Sequence, residues 1–401
     1  MATVKATVCE SIVARAGEMR RDLGAHIAIP TGHNHTPGLD AYRDIVTTRL
    51  RRLGARIDLV AGRERPGWIV GQTGAGAVPP TAVCRREVSG KPRVLIAGHL
   101  DTVFPVNSPF NAFTVSADGA TATGPGVVDM KGGILIAVVA LEALHDAGVR
   151  TSWTFLLNSD EETGSYCSDH VLRAEARRHD VGLALEPALP GGALAIGRKG
   201  SGQFMIEVFG RSAHAGREFE KGVSAVYGLA RAMNAVEGMS DLGSGVTVNI
   251  GPIGGGTATN VVPDFAWCRG NARYPERRFA DELGAKLDAL ATGDNTMPRV
   301  VVHRSFNRPA KPRTREVTRL GMLARRVAEE LGQSLPFAET GGVCDGNILQ
   351  DEGLPTIDTL GVRGGGLHTH DEWIELKSLE ERAMLMASLL MEIDGGAPAG
   401  E

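Results

Sequence analysis

Three short apolar runs in this chain close on acids or histidines: "VLIAGHLD" (94–101), "TSWTFLLNSDEE" (151–162) and "VGLALEP" (181–187). Each is aliphatic, aromatic or β-branched and carries no charge until its last residues, as a strand buried on both faces does. Like charges at the mouth of a buried strand repel one another and lose hydration. A chain that keeps them there needs something that offsets them. Helical patterns separate the runs, the clearest over 129–148 and ending at Gly148. Strand and helix in alternation favour a layered α/β domain with a largely parallel sheet. In such sheets the C-terminal strand ends converge on the ligand crevice.

A chain of 401 residues exceeds one typical domain and suggests two. The net charge of −4 provides no basic field of the kind nucleic-acid binding requires. Cys9, Cys84, Cys167, Cys268 and Cys344 are odd in number, scattered, and never spaced C-x-x-C, which points to reduced thiols in a cytosolic protein. The N-terminal stretch lacks a signal-peptide core, and the longest apolar run, 133–144, contains Glu142 and is too short for a bilayer. The expectation is a cytoplasmic protein with neither a nucleic-acid nor a membrane partner.

Along the chain, amphipathic helices are expected over 1–24 and 38–54, then short strands through 55–104 that end in "RVLIAGHLDTVF". The character changes near residue 197. Strands at 202–216, 244–256, 260–275 and 299–306, with helices at 221–239 and 277–293, give a β-α-β-β-α-β order, the ferredoxin-like pattern. Its arrival in mid-chain suggests an insertion, with a first domain over 1–196, the inserted one over 197–309, and the first resuming over 310–401. The last part reads as helix 314–332, strand "PTIDTLGV", helix 377–393 and a disordered Gly/Ala/Pro tail. The Gly-rich "GPIGGG" (251–256) lacks the spacing of a dinucleotide site and reads as a turn.

His99 and Asp101 follow "VLIAG", Asp129 lies in "GPGVVDMKGG", Glu161 and Glu162 follow "TFLLN", Glu186 follows "VGLAL", and His368 lies in "GVRGGGLHTHDEW". Two histidines with several carboxylates and no cysteine form a donor set for zinc or a similar divalent ion. A cation would also offset the repulsion at the strand ends. The His99-x-Asp101 spacing puts both side chains on one face of an extended segment, so Asp101 can orient the imidazole through its second nitrogen. Each fragment alone has a plainer account: a simple His–Asp hydrogen bond, a helix-dipole acid at Asp129, a strand-end acid at Glu186, a solvated loop histidine at His368. The agreement among separate strand ends carries the inference.

"GHLDTVFP", "GPGVVDMKGG", "NSDEETGS", "ALEPA", "GRSAHAG" and "GGGLHTHDEW" occur in the order and approximate spacing of the dinuclear zinc glutamate carboxypeptidases. The chain resembles that family over nearly its whole length, and the family is similar to acetylornithine deacetylases, succinyl-diaminopimelate desuccinylases and aminoacylases. The resemblance implies a zinc-exopeptidase-like catalytic domain with an inserted ferredoxin-like lid used for dimerisation. It implies two Zn2+ per subunit, with Co2+ or Mn2+ as substitutes. His99, Asp129 and Glu186 would hold one, and Asp129, Glu162 and His368 the other. Asp101 falls at the position that orients the first histidine, Glu161 at the general base, and Asp160 at a supporting acid. His214 in "GRSAHAG" matches a residue that reaches into the partner subunit's site and steadies an oxyanion. Asn260, Arg273 and Arg308 resemble positions that hold a substrate carboxylate, a task suited to an arginine fork.

The implied reaction is amide hydrolysis by a metal-bridging water, with Glu161 taking its proton and passing it to the departing nitrogen. It would release a C-terminal, glutamate-like amino acid from a peptide or N-acyl amino acid. A deacylase of the acetylornithine or succinyl-diaminopimelate type is the alternative. A catalytically dead metal- or peptide-binding protein is a third reading, against which stands the presence of Glu161 and every expected ligand. In "ETGGVCDGN" (339–347), Cys344 replaces a small hydroxyl residue common in relatives, and the role of Asp345 beside it is open. His33-x-His35 has a metal-like spacing, but the resemblance places it in a loop near the cleft. An exposed edge of the lid sheet can pair across a two-fold axis, so a homodimer is expected.

Overall fold

The computed structural model describes residues 2–33, 35–70 and 80–395. Its larger layer is a six-stranded mixed sheet, ordered Arg56–Val60, Thr81–Arg86, Ser152–Asn158, Arg93–His99, Val181–Ala184 and Thr356–Ile357. The pairs from Ser152–Asn158 to Thr356–Ile357 are parallel, and the two at the other edge are antiparallel. Period-two alternation sends side chains of the central strands into two cores. Trp153, Phe155 and Leu157 pack with helices Gly132–Asp146 and Lys377–Asp394. Leu95, Ala97 and Leu156 pack under Asp169–Ala176 and Asp345–Asp351. Gly133 lets the first of these helices begin hard against the sheet, because a Cβ there would lie 2.4 Å from the Leu185 carbonyl oxygen.

Residues 200–308 build a second, antiparallel sheet, ordered Thr247–Gly255, Phe265–Tyr274, Gly200–Phe209 and Arg299–Arg308. With helices Ala225–Glu237 and Arg277–Asp288, this is the ferredoxin-like arrangement. Phe204, Ile206, Val208, Leu229, Ala266 and Leu283 form its separate core. The opposite face carries Ser201, Gln203, Arg269, Asn271, Arg273 and His303, which pair across three strands. That face meets loops of the larger layer: Trp68 stacks on His303 with ring centroids 6.0 Å apart, and Asn307 Nδ2 donates to the Gly164 carbonyl at 2.5 Å. The two crossings between layers run side by side. Arg198 and Lys311 pair main chain to main chain, and both reach buried Asp358, at 2.7 and 3.1 Å.

Several elements differ from expectation for local reasons. The helix expected over 1–24 is two, Ala2–Ala14 and Ala16–Ile27. The helix expected from 129 starts at Gly132, because Asp129 adopts φ −119° and ψ 92°, outside the helical region. The strand expected to reach Phe104 ends at His99, and the one expected over 202–216 stops at Phe209 and restarts as Ala213–His214. "PTIDTLGV" keeps only Thr356–Ile357, since Thr359 turns the chain at φ 62°. The tail expected to be disordered lies mostly in 396–401, outside the described residues. Among the described residues no helix is long and apolar enough to cross a membrane.

Candidate metal centre

Strand Arg93–His99 ends in register with Asn158 of its parallel neighbour, so His99 and the loop from Ser159 onward leave the sheet side by side. His99 Nε2 lies 3.1 Å from Asp129 Oδ1. His368 Nε2 lies 3.4 Å from Asp129 Oδ2 and 3.2 Å from Glu162 Oε2. His368 is open to solvent, and its left-handed backbone, φ 62°, turns the ring toward the two acids. Donor atoms of His99, Asp129 and Glu162 all fall within 4.8 Å of one another. Glu186, buried beyond the end of Val181–Ala184, borders this group. Burial, then Asp129 and Glu161, push its carboxyl well above the ordinary value.

The electrostatics fit a divalent cation. Glu162 Oε1 is buried and accepts no hydrogen bond, and burial raises its pKa. Burial opposes charge on His99, yet Asp101 and Asp129 outweigh it and hold the ring well above its usual pKa. Asp129 and Glu162 raise His368 to about 10. A carboxylate oxygen without a partner, among acids and imidazoles on converging strand ends, is the environment a metal ion satisfies.

Asp101 holds more than the histidine. Its main-chain oxygen lies 2.9 Å from His99 Nδ1, closer than its carboxylate at 3.5 Å. The carboxylate instead accepts the Glu161 and Glu162 amides, at 3.2 and 3.0 Å. Asp160 closes the same loop by accepting the Cys167 amide at 2.7 Å. Burial pushes Glu161 up to about 8 against the pull of Arg308, whose Nη2 donates to Glu161 Oε1 at 2.7 Å.

Two residues missed by sequence reasoning complete the centre. Glu372 accepts the amides of Gly126, Val128 and Asp129 at 3.0, 2.8 and 3.0 Å, which fixes the turn that presents Asp129. Buried Lys131 donates to the carbonyls of His26 and Ile29, at 3.1 and 2.7 Å, and ties the N-terminal helices to that turn. Glu372 stands inside the "LHTHDEW" motif, four residues after His368. That position was the only signal that could have found it.

The remaining expected site residues are spread. His214 is exposed on the short ribbon that Ala213–His214 forms with Val261–Val262, where its Nδ1 accepts the Gly216 amide. Asn260 is exposed in the turn just before the ribbon's second strand, its carbonyl accepting from the Ala215 amide at 2.9 Å. Arg273 and Arg308 both pair with Ser201, from strands on either side of it. Arg308 is buried against Glu161 and Asp345. Cys344 is buried at the start of helix Asp345–Asp351, its amide donating to Asn347 Oδ1 at 3.0 Å. All five cysteines are free thiols.

Fold and centre together define a metal-dependent hydrolase of amide bonds. Residues 95–392 match the model of Peptidase family M20/M25/M40, and the chain belongs to that family, whose members bind two metal ions. It is 27% identical over 383 residues to carboxypeptidase G2 of a Pseudomonas species, covering 92% of this chain and 88% of the relative. It is 29% identical over 335 residues to a succinyl-diaminopimelate desuccinylase of Methylorubrum extorquens, covering 75% and 82%. The fold matches the crystal structure of a tripeptidase from Staphylococcus aureus with a TM-score of 0.76 at 21% identity, over 95% of this chain and 99% of that one.

Proposed function

We propose that this hydrolase uses two Zn2+, replaceable by Co2+ or Mn2+, to release a C-terminal, glutamate-like amino acid from a peptide or N-acyl amino acid. His99, Asp129 and Glu186 would hold one ion, and Asp129, Glu162 and His368 the other. When bound, the ions supply Lewis acidity toward the amide carbonyl and make water a better nucleophile. Asp101 keeps the Glu161 and Glu162 amides fixed, so the two neighbouring glutamates divide the work of proton transfer and ligation. Glu161 takes the proton from water and gives it to the departing nitrogen.

The observation that carries the substrate class is the placement of Arg273 and Arg308 on either side of Ser201. Arg273 Nη1 is buried without a hydrogen-bond partner, and burial and then Arg308 lower its pKa. A substrate carboxylate would neutralise Arg273 and accept from its unused Nη1, beside the Nε that Arg308 leaves free of its pairs with Glu161 and Asp345. Asn260 would add a polar contact. Exposed His214 would steady the oxyanion in the partner's site of a homodimer formed through the lid. This reading takes 197–309 as the lid, 1–196 and 310–401 as the catalytic domain, and the cytoplasm as the setting.

The test is elemental analysis of the purified protein beside an activity panel of peptidyl-glutamates, N-acetyl and N-succinyl amino acids, and dipeptides. The expected result is two zinc ions per chain and chelator-sensitive release of glutamate. Amide cleavage that persists fully in chelator would end the proposal. The desuccinylase relative supports a second reading, N-acyl amino acid deacylation, which preferential cleavage of the N-succinyl or N-acetyl substrates would establish.

A further inference from the structure

Arg308 ends the strand Arg299–Arg308 of the smaller sheet, yet it is only 3% exposed because its guanidinium sits within the larger layer. Nη2 donates to Glu161 Oε1 at 2.7 Å, to the Glu161 carbonyl at 3.0 Å and to Ser165 Oγ at 2.8 Å. Nη1 donates to Asp345 Oδ1 at 3.1 Å. Asp345 has further donors: Ser165 Oγ at 2.5 Å and Asn158 Nδ2 at 2.8 Å. Two residues on, Asn347 Nδ2 donates to the carbonyls of Lys199 and Pro309, at 3.0 and 2.8 Å, one on each crossing between the layers. The segment "CDGN" (344–347) therefore grips both crossings, the arginine fork, and the end of the strand that leads to Glu161.

We propose that Asp345 is a positioning residue for the hydrolytic base. By fixing Arg308, it makes the guanidinium hold Oε1 of Glu161 and leaves Oε2 free to take a proton. The proposal rests on the reading of Glu161 as that base. An arginine held at one end only can turn about its long stem. With Asp345 on one terminal nitrogen and Ser165 on the other, the plane of the fork is set, and the carboxylate bonded to it is set in turn. Arg308 Nε, buried and without an acceptor, is the edge left for the substrate carboxylate. One guanidinium then touches both base and substrate, and Asp345 decides its orientation.

The test is a double-mutant cycle of Asp345→Asn with Arg308→Lys. Asp345→Asn should lower kcat by about 10- to 100-fold, with a rise in KM smaller than the loss in kcat and metal content unchanged. In the Arg308→Lys background the same change should alter kcat by less than about twofold, because the fork it acts through is gone. A change in KM alone, or losses that multiply in the double variant, overturns the proposal. Should Asp345→Asn fail to fold, Ser165→Ala removes the hydroxyl shared by Arg308 and Asp345 and goes through the same cycle under the same criteria. A wild-type protein inactive on every amide would count against the hydrolase reading instead. The cycle is then read by hydrogen exchange at Glu161 and Glu162, away from Ser165, which Asp345 touches directly. Asp345→Asn speeds that exchange in the wild-type background and not in Arg308→Lys; faster exchange in both overturns the proposal.

Discussion

Ser152–Asn158 is buried at every residue, whereas Phe265–Tyr274 alternates between buried and open positions. The first strand lies between two cores and keeps its polar chemistry for the residues just past its end. The second has helices on one face only, and Arg269, Asn271 and Arg273 stand in mid-strand on the other. The contrast separates two ways of using charge. Where both faces are covered, ionisable groups gather at the strand ends, and burial moves Glu161 to about 8. Where one face has no helix over it, cations stand along the sheet, and Arg273, with Nη1 buried and unpartnered, awaits a ligand of opposite sign.

Three measurements would break or sharpen this comparison. Glu161→Gln, at a covered strand end, should lower kcat by roughly 10²- to 10⁴-fold with metal stoichiometry intact. Turnover near wild type would show that the crowded acids there are not the proton carriers. His26, 4% exposed, tests the cost of an ionisable group deep in the covered layer. Burial first, with Arg49 and Lys131, lowers its pKa to about 4 from the unfolded 6.5. The unfolded chain therefore takes up this proton first. The stability is fully present above pH 6.5 and falls by roughly 3 kcal/mol as pH drops to 4. Urea denaturation across that range should show a shallower acid loss for His26→Phe, and parallel curves would refute the assignment. The smallest effect belongs to the open face. Arg273→Ala should raise KM by about 10- to 100-fold for substrates with a free carboxylate, with kcat little changed. Equal KM values for free and amidated substrates in wild type would remove Arg273 from recognition.

The strand ends bearing His99, Glu161, Glu162 and Glu186 could be read in the sequence because double-sided burial writes itself as an unbroken apolar run. The ferredoxin-like order was readable for the complementary reason, since one-sided burial alternates with period two. The clamps were not readable. Glu372 holds amides more than two hundred residues away in sequence, and Arg308 reaches Glu161 from the far end of another sheet. Contacts of that range leave no local spacing. The His99–Asp101 pair was expected, but not that the main-chain oxygen would take the nearer position to the ring and free the carboxylate for two amides. Its side-chain role depends on where the Glu161 loop lands, which the fold decides.

The pairing of Arg198 with Lys311 means that the chain departs from and rejoins the larger layer at one point. A detour whose ends already touch, and whose interior has its own core, imposes little closure entropy on its host. It behaves as a cartridge seated in a slot. Its length can change, or the unit be exchanged, at little cost to the host fold. The strand ends beneath it keep the same chemistry throughout. Arg308, standing at the lip of that slot, and the site residues Arg273, Asn260 and His214 are what such an exchange would have to preserve.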